Sequence, residues 1–216
     1  MDAPGVVSAF VLAGGESSRM GRDKALLVLP TGETLLDHAL RLAKTVSDEV
    51  KLVAPSSRYS GMVDVPVVED VYPACGPLAG IHASLSASET ELNLVLAVDC
   101  PLVTPELLQF LVRIAAGTDK LATVPRVAGH LHNVCAVYRR EFAKIAEKVL
   151  AGSAVQHAVA GGTGRRRGTR VDRLFTEVPT RIVDEDELRR AGFGPELFAN
   201  VNTPAEFAAL TLSMQP

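Results

Sequence analysis

Apolar runs alternate with amphipathic segments over the first half of the chain. Val6 to Ala13 is a nearly continuous apolar run with β-branched residues, and it ends in two glycines. This pattern is typical of a strand that is buried on both faces in a parallel sheet. Leu92 to Val98 has the same character, and shorter strands are predicted at Val50 to Ala54 and Val65 to Val68.

Helices are predicted between these strands. Apolar residues recur at helical spacing from Leu35 to Val46, and Thr34 with Asp37 has the spacing of a capping box. Further helices are predicted from Leu78 to Ser88 and from Pro105 to Ala116. The alternation of strand and helix predicts an α/β fold, with a mostly parallel, twisted sheet and helices on both faces.

The second half of the chain is less regular. Strands are predicted at Leu121 to Val124 and Asn133 to Tyr138, with antiparallel pairing expected, and a helix at Glu141 to Ala151. Gly161 to Arg173 contains four glycines and five arginines, which predicts a mobile loop. A last helix is expected from Pro204 to Leu212. Without an internal repeat or a linker, residues 1–216 are predicted to form a single domain.

Composition narrows the kinds of partner. The 216 residues are 47% hydrophobic and carry a net charge of −3, which does not favour binding to nucleic acid or to an anionic membrane. No apolar run is long enough for a membrane span. The charge therefore favours a small-molecule ligand. The cysteines, Cys75, Cys100 and Cys135, are odd in number and widely spaced, so we expect a cytoplasmic protein.

A glycine-rich segment, Leu12 to Lys24, follows the first predicted strand directly. Gly14 and Gly15 allow backbone N–H groups to approach an oxygen anion closely. Arg19 and Lys24 add positive charges that would neutralise a triphosphate during displacement at phosphorus. The spacing matches neither the dinucleotide fingerprint nor the P-loop. The segment therefore predicts a phosphate site, and the alternative is an exposed turn.

An acidic residue follows the second long strand. Asp99 comes directly after Val98, and Pro101 prevents the strand from continuing. A single carboxylate together with substrate phosphate oxygens is a common way to hold Mg²⁺, so Asp99 is the predicted metal ligand. The alternative is an aspartate that caps the helix after Thr104. Arg19, Lys24 and Asp99 are the predicted catalytic residues.

The segment LAGGESSRMGRDKALL resembles the signature of the molybdenum cofactor guanylyltransferases. The resemblance implies a Rossmann-like, three-layer nucleotidyltransferase fold with a mostly parallel mixed sheet. It also implies GTP and molybdopterin as substrates, Mg²⁺ as cofactor, and molybdoenzymes or cofactor-delivery proteins as partners. Related families with L-A-A-G at this place act on cytidine triphosphate or sugar phosphates, so the choice of guanine rests on Gly14.

The resemblance also implies roles for particular residues. Val68-Glu69-Asp70 with Gly76 to Ile81 is similar to the family's E-D … G-P-L-A-G segment, and Asp99 matches the D-x-P aspartate that binds magnesium. Some relatives have a nucleotide-binding asparagine where this chain has Ala54. The residues implied in nucleotide binding are Leu12, Ala13, Gly14, Gly15, Lys24, Asp70 and Asp99.

A second group of residues is implied on the molybdopterin side. Asn200-Val201-Asn202-Thr203-Pro204 resembles the family's N-x-N-T-P segment, so Asn200 and Asn202 are placed there together with Gly80. Amides suit a pterin because they both donate and accept hydrogen bonds. The alternative for Asn202 is a role in the turn before the last helix.

The sequence does not decide the role of two features. His132 begins a segment similar to the family's H-P-x-x-A-L-Y strand, but Asn133 replaces the proline. Arg165 to Arg173 is either a cover for an anionic substrate or a solvated surface. The rival functions are a cytidylyltransferase or sugar-phosphate nucleotidyltransferase of the same fold, and a non-catalytic nucleotide-binding regulatory protein.

Overall fold

The described part of the chain forms one mixed sheet with helices on both faces. The computed structural model describes residues 7–14, 23–59, 61–73, 75–159 and 171–213, with the backbone alone at 153–159, 172, 173 and 213. Its strands are β1 (Val7–Leu12), β2 (Glu49–Val53), β3 (Val67–Val68), β4 (Leu92–Ala97), β5 (Ala122–Val127), β6 (His130–Leu131), β7 (Cys135–Arg139) and β8 (Thr180–Asp184). Its α-helices are α1 (Leu35–Lys44), α2 (Ser56–Tyr59), α3 (Pro77–Ser86), α4 (Pro105–Ala116), α5 (Phe142–Val159), α6 (Val171–Glu177), α7 (Glu185–Arg190) and α8 (Pro204–Ser213).

The strand order is β3-β2-β1-β4-β7-β5-β6. Strand β8 lies outside this linear order and pairs with β5. Pairs β1–β2, β1–β4, β2–β3 and β5–β8 are parallel. Pairs β4–β7, β5–β7 and β5–β6 are antiparallel. The predicted α/β fold with a mostly parallel mixed sheet is confirmed, and so is the antiparallel pairing expected in the second half.

Four parallel strands end in one row. Leu12 of β1 lies opposite Val53 of β2 and Ala97 of β4, and Val53 lies opposite Val68 of β3. The chain therefore leaves all four strands at the same edge of the sheet. Ligands of open α/β sheets bind at this carboxyl edge.

The two faces of the sheet are covered by different helices. Ala9 and Val11 of β1 belong to a core that includes buried leucines of α1 and α4. Phe10 and Leu12, which point the opposite way, belong to a second core with α3, α5 and α6. Because side chains alternate along a strand, these two cores lie on opposite faces, and the three-layer arrangement is confirmed.

Several boundaries in the second half differ from the sequence predictions. Strand β5 runs to Val127 instead of Val124, and β7 begins at Cys135 instead of Asn133. The helix expected to end at Ala151 continues through Gly152 and Ser153 to Val159. The expected loop also does not extend to Arg173, since α6 begins at Val171. Val171, Leu174 and Phe175 are buried at helical spacing, so α6 has an apolar face that packs in the second core.

Strand β8 and helix α7 were missed by the sequence reasoning. Thr180–Asp184 carries charged residues and has only one fully buried residue, Val183, so its apolar pattern is weak. Of the helices in the described ranges, none is long and apolar enough to cross a membrane.

The start of α1 has the predicted capping box. The Thr34 hydroxyl accepts the N–H of Asp37 at 3.0 Å, and the Asp37 carboxylate accepts the N–H of Thr34 at 3.3 Å. These contacts satisfy N–H groups that the first helical turn leaves without a carbonyl partner.

We predict that Thr34→Ala lowers the free energy of unfolding by about 1 kcal/mol, because the cap is lost. Urea unfolding measures the change. Thr31→Ala in the exposed preceding turn is the control, with an expected change below about 0.5 kcal/mol. Equal effects of the two substitutions would contradict a specific capping role.

Candidate active site

A cavity of about 570 Å³ opens at the carboxyl edge where β1, β2, β3 and β4 end. Its volume lies in the range of small-molecule sites, roughly 300–1,000 Å³. The predicted residues that line it are Leu12, Gly14, Lys24, Asp70, Gly80 and Asp99. Residues from distant parts of the sequence therefore meet at one place because their strands end in one row.

The predicted nucleotide loop is only partly described. Leu12 and Gly14 line the cavity, while Ala13 is buried behind them with its N–H bonded to the Val53 carbonyl at 3.0 Å. Gly15 and Arg19 lie outside the described residues. Their predicted roles in binding phosphate remain predictions.

The predicted metal ligand and one predicted cation are in direct contact. Lys24 Nζ lies 2.5 Å from Asp99 Oδ2. The side chains are 22% and 15% exposed, so the pair is partly shielded from water but open to the cavity. A carboxylate and an ammonium at the base of one cavity can hold a cation and an anionic group side by side. The contact brings together two of the charged residues predicted for the site, while their roles in binding phosphate and metal stay predictions.

The backbone around Lys24 is fixed by its neighbour in the sequence. Lys24–Leu26 forms a single 3₁₀ turn, and Asp23 Oδ1 accepts the N–H of Ala25 at 3.1 Å as its cap. The other oxygen, Asp23 Oδ2, accepts the Tyr59 hydroxyl at 2.7 Å. The sequence reasoning missed Tyr59, because a lone tyrosine after a short strand carries no local signal for this contact.

Asp70 lies at the opposite side of the cavity, after β3. Its Oδ1 accepts the N–H of Tyr72 at 2.7 Å. Burial raises the pKa of Asp70, while the Tyr72 N–H and the nearby His82 act in the opposite direction. The neighbouring Glu69 is exposed, and its bonds to Ser56 lower its pKa.

The glycines that line the cavity differ in what the surrounding structure requires at each position. Gly76 precedes α3 with φ of +78°, a conformation that L side chains rarely adopt. A Cβ at Gly80 would lie 3.2 Å from Leu12 Cδ1, so this glycine allows α3 to approach β1. A Cβ at Gly14 would meet no described protein atom within 4 Å, so contacts with the described residues do not require glycine there.

Ala54 leaves little for a nucleotide to bind. It has no polar side chain, and its backbone N–H donates to the Val68 carbonyl at 3.1 Å. The N–H is therefore used within the sheet and does not replace the asparagine of some relatives.

The two predicted second-substrate asparagines, Asn200 and Asn202, are not among the residues that line the cavity. The buried thiol of Cys100 lies 3.7 Å from Asp99 Oδ1 and 3.2 Å from Asn200 Oδ1, and the Val201 N–H donates to the Asp99 carbonyl at 2.9 Å. Burial, and then the charge of Asp99, raise the pKa of Cys100, so the thiol stays protonated and can donate. The thiol has one hydrogen, and the shorter distance assigns it to Asn200, so this bond and the Val201 N–H hold the segment beside Asp99.

Asn202 and Gly80 are placed differently. The Asn202 N–H donates to Glu206 Oε2 at 2.6 Å, as part of the cap of α8, and its side chain is exposed. Gly80 lines the cavity together with the residues predicted to bind the nucleotide. The structure does not bring Gly80, Asn200 and Asn202 into one cluster.

His132 packs against the segment before Asn200. Its ring centroid is 4.7 Å from that of Phe198, and burial, together with the charge of His130, lowers its pKa. This contact is sufficient to explain a packing role. Arg165, Arg166, Arg167 and Arg170 of the arginine-rich segment lie outside the described residues.

The residues present fit a magnesium ion that is shared with a substrate. In the described ranges there is no group of three or more acidic, histidine or cysteine side chains that could hold a metal alone. Asp99 offers one carboxylate at the cavity, and Mg²⁺ is usually bound by one or two carboxylates plus phosphate oxygens and water. Asp99 therefore fits as the single protein ligand of a metal–nucleotide complex.

An open α/β sheet with a charged cavity at its carboxyl edge is typical of nucleotide-binding proteins, and comparison with known families gives the class as nucleotidyltransferase. The model of the MobA-like NTP transferase domain matches residues 9–158. A protein of Carboxydothermus hydrogenoformans, named "Probable molybdenum cofactor guanylyltransferase", is 30% identical over 204 residues, 94% of each chain. The chain belongs to the molybdenum cofactor guanylyltransferase family.

Two further relatives support this family and fold. A protein of Mycobacterium marinum with the same name is 36% identical over 167 residues, which cover 74% of this chain and 82% of that protein. The crystal structure of molybdopterin-guanine dinucleotide biosynthesis protein A from Archaeoglobus fulgidus superposes with a TM-score of 0.77. It covers 95% of this chain and 97% of that one, and at 21% identity it shows the fold alone.

We predict that Lys24→Met raises the affinity of the nucleotide-free protein for Mn²⁺ about fivefold, because the ammonium no longer competes for Asp99. Electron paramagnetic resonance of free Mn²⁺ measures the affinity. Lys51→Met is a matched control, since Lys51 Nζ donates to the Ala87 carbonyl away from the cavity. Unchanged Mn²⁺ affinity in Lys24→Met would mean that Asp99 does not bind the metal.

Proposed function

We propose that the chain transfers GMP from GTP to the terminal phosphate of molybdopterin, which releases pyrophosphate and forms the guanine dinucleotide cofactor. The main support is the contact of Lys24 with Asp99 inside the cavity at the carboxyl edge. The family relationship supplies the substrates, because the relatives are named for this reaction.

In this proposal, the residues act by position and charge. The molybdopterin phosphate attacks the α-phosphorus of GTP in line, and pyrophosphate leaves toward Lys24 and Arg19. The ammonium of Lys24 moves from Asp99 to the phosphates and stabilises their negative charge in the transition state. No general base is required, because the attacking phosphate is already ionised.

The proposed cofactor is Mg²⁺, with Asp99 as its protein ligand. The ion would neutralise charge on the phosphate oxygens. The carboxylate of Asp99 becomes available for the metal when the triphosphate provides a new partner for Lys24. Metal and nucleotide are therefore expected to bind more tightly together than separately.

The remaining site residues keep their predicted roles within this proposal. Leu12, Ala13, Gly14, Gly15 and Asp70 form the nucleotide side. Gly80, which lines the cavity, and Asn200 and Asn202, which do not, keep their proposed place on the molybdopterin side. The Cys100 thiol lies 3.2 Å from Asn200 Oδ1 and is next to Asp99 in the chain.

The cellular setting is also proposed. Cys75, Cys100 and Cys135, all within the described residues, form no disulfide, which fits a reducing cytoplasm. The substrates are small molecules, and molybdoenzymes or cofactor-delivery proteins are the proposed protein partners. We keep residues 1–216 as a single domain, because β8 pairs with β5, and Val201 and Leu210 pack with Leu27.

We predict that, with molybdopterin as acceptor, GTP releases pyrophosphate much faster than CTP, ATP or UTP. The expected preference is at least about a hundredfold, if buried polar groups of the site pair with the guanine edge. Coupled detection of pyrophosphate measures the rates, and omission of molybdopterin is the control. A preference for CTP would indicate a cytidylyltransferase, and no release with any nucleotide would favour a regulatory protein.

We predict that Asp99→Asn lowers turnover about a hundredfold or more, because the neutral amide holds the metal and its phosphate oxygens poorly. The rate of pyrophosphate release and the thermal midpoint are measured together. Asp64→Asn in the exposed loop before β3 is the matched control and should leave the rate unchanged. A fully active, folded Asp99→Asn variant would remove Asp99 from the mechanism.

A further inference from the structure

Tyr59 is a buried tyrosine that touches the chain on both sides of residues 14–22. It ends α2, and its side chain is 0% exposed. The hydroxyl lies 2.7 Å from Asp23 Oδ2 and 3.5 Å from the Ala13 carbonyl oxygen. A hydroxyl donates one hydrogen, and the shorter distance assigns it to Asp23.

Asp23 passes this contact on to Lys24. One carboxylate oxygen of Asp23 holds the Tyr59 hydroxyl, and the other accepts the N–H of Ala25 and caps the turn. The cap fixes the backbone of Lys24, whose ammonium reaches Asp99 at the end of β4. The series Tyr59, Asp23, Lys24 therefore connects the segment after β2 with the acid after β4.

Alternative partners of Asp23 are weaker. Arg58 Nε lies 3.8 Å from the same oxygen, but its side chain is 41% exposed, and exposed ion pairs contribute little. Burial, followed by the contact with Asp23, raises the pKa of Tyr59 to about 12, so the hydroxyl remains a donor at neutral pH. The bond from Tyr59 is the buried and directional one.

We propose that Tyr59 is a positioning residue for nucleotide binding: its hydroxyl holds Asp23 and thereby places Lys24 for the nucleotide phosphates. The inference rests on the proposed role of Lys24. Tyr59 itself does not touch the substrate. Its ring belongs to the buried core that also contains residues of α1 and β2, and only its hydroxyl serves the site.

The test separates placement of Lys24 from a general loss of stability. Tyr59→Phe keeps the ring and removes the hydroxyl. Tyr138→Phe is the matched control, because Tyr138 is equally buried and its hydroxyl donates to the Asn133 carbonyl at 2.6 Å. Calorimetric titration with GTP and Mg²⁺ measures the dissociation constant, and urea unfolding measures stability for each variant.

We expect Tyr59→Phe to weaken GTP binding about fivefold, which corresponds to the loss of one hydrogen bond. Tyr138→Phe is expected to lose similar stability while GTP affinity stays within about twofold of wild type. In a Lys24→Met background, Tyr59→Phe is expected to change GTP affinity less than about twofold, because the two residues act through one interaction. Asp23→Ala removes both the Tyr59 contact and the cap of the Lys24 turn, so we expect it to weaken GTP binding at least as much as Tyr59→Phe, and again by less than about twofold in the Lys24→Met background.

Two results would overturn the inference alone. One is that the wild type binds GTP and the Tyr59→Phe variant binds it with the same affinity. The other is an equal loss of affinity from Tyr59→Phe with and without Lys24. If Tyr59→Phe does not fold, Asp23→Ala decides by the same criteria. A wild type that binds none of GTP, CTP, ATP and UTP would overturn the proposed function and this inference with it.

Discussion

The common row in which four parallel strands end is the constraint on which the site depends. Leu12, Val53, Val68 and Ala97 are neighbours across the sheet through parallel pairing. Each strand is followed by a short polar or glycine-containing segment, so these segments meet at one edge. A slip of one residue in any pair would turn every side chain of that strand to the other face, so burial on both faces holds this row in register.

The arrangement of charges in the cavity follows from this alignment of the strand ends. Asp99 follows β4 and the turn with Lys24 follows β1 at a longer distance along the chain, yet the two groups are 2.5 Å apart. The partly buried pair satisfies both charges when no ligand is bound, since an unpaired charge there is costly. The same two groups then suit a reaction whose substrates are polyanions, because each can exchange its partner for a metal ion or a phosphate.

Local sequence signals predicted the elements that have clear local causes. The capping box of α1, the proline at the start of α4 and the cap of α8 involve residues within one turn of each other, and all are present. The strands β1 and β4 are apolar except for Ser8 and Asn93, and they were predicted for that reason. Errors occurred where the pattern was weak, at the end of α5, the start of α6 and the half-buried strand β8.

The sequence by itself determined the fold class, the family, and the candidate residues Lys24, Asp70 and Asp99, because strand pattern, glycine content and motif spacing are local properties. Only the tertiary structure decided which of these residues meet, that Tyr59 supports Asp23, and that Cys100 joins Asp99 to Asn200. Such contacts join positions far apart in the chain. They depend on strand order and register, which arise from the packing of the whole sheet, and no local pattern encodes them.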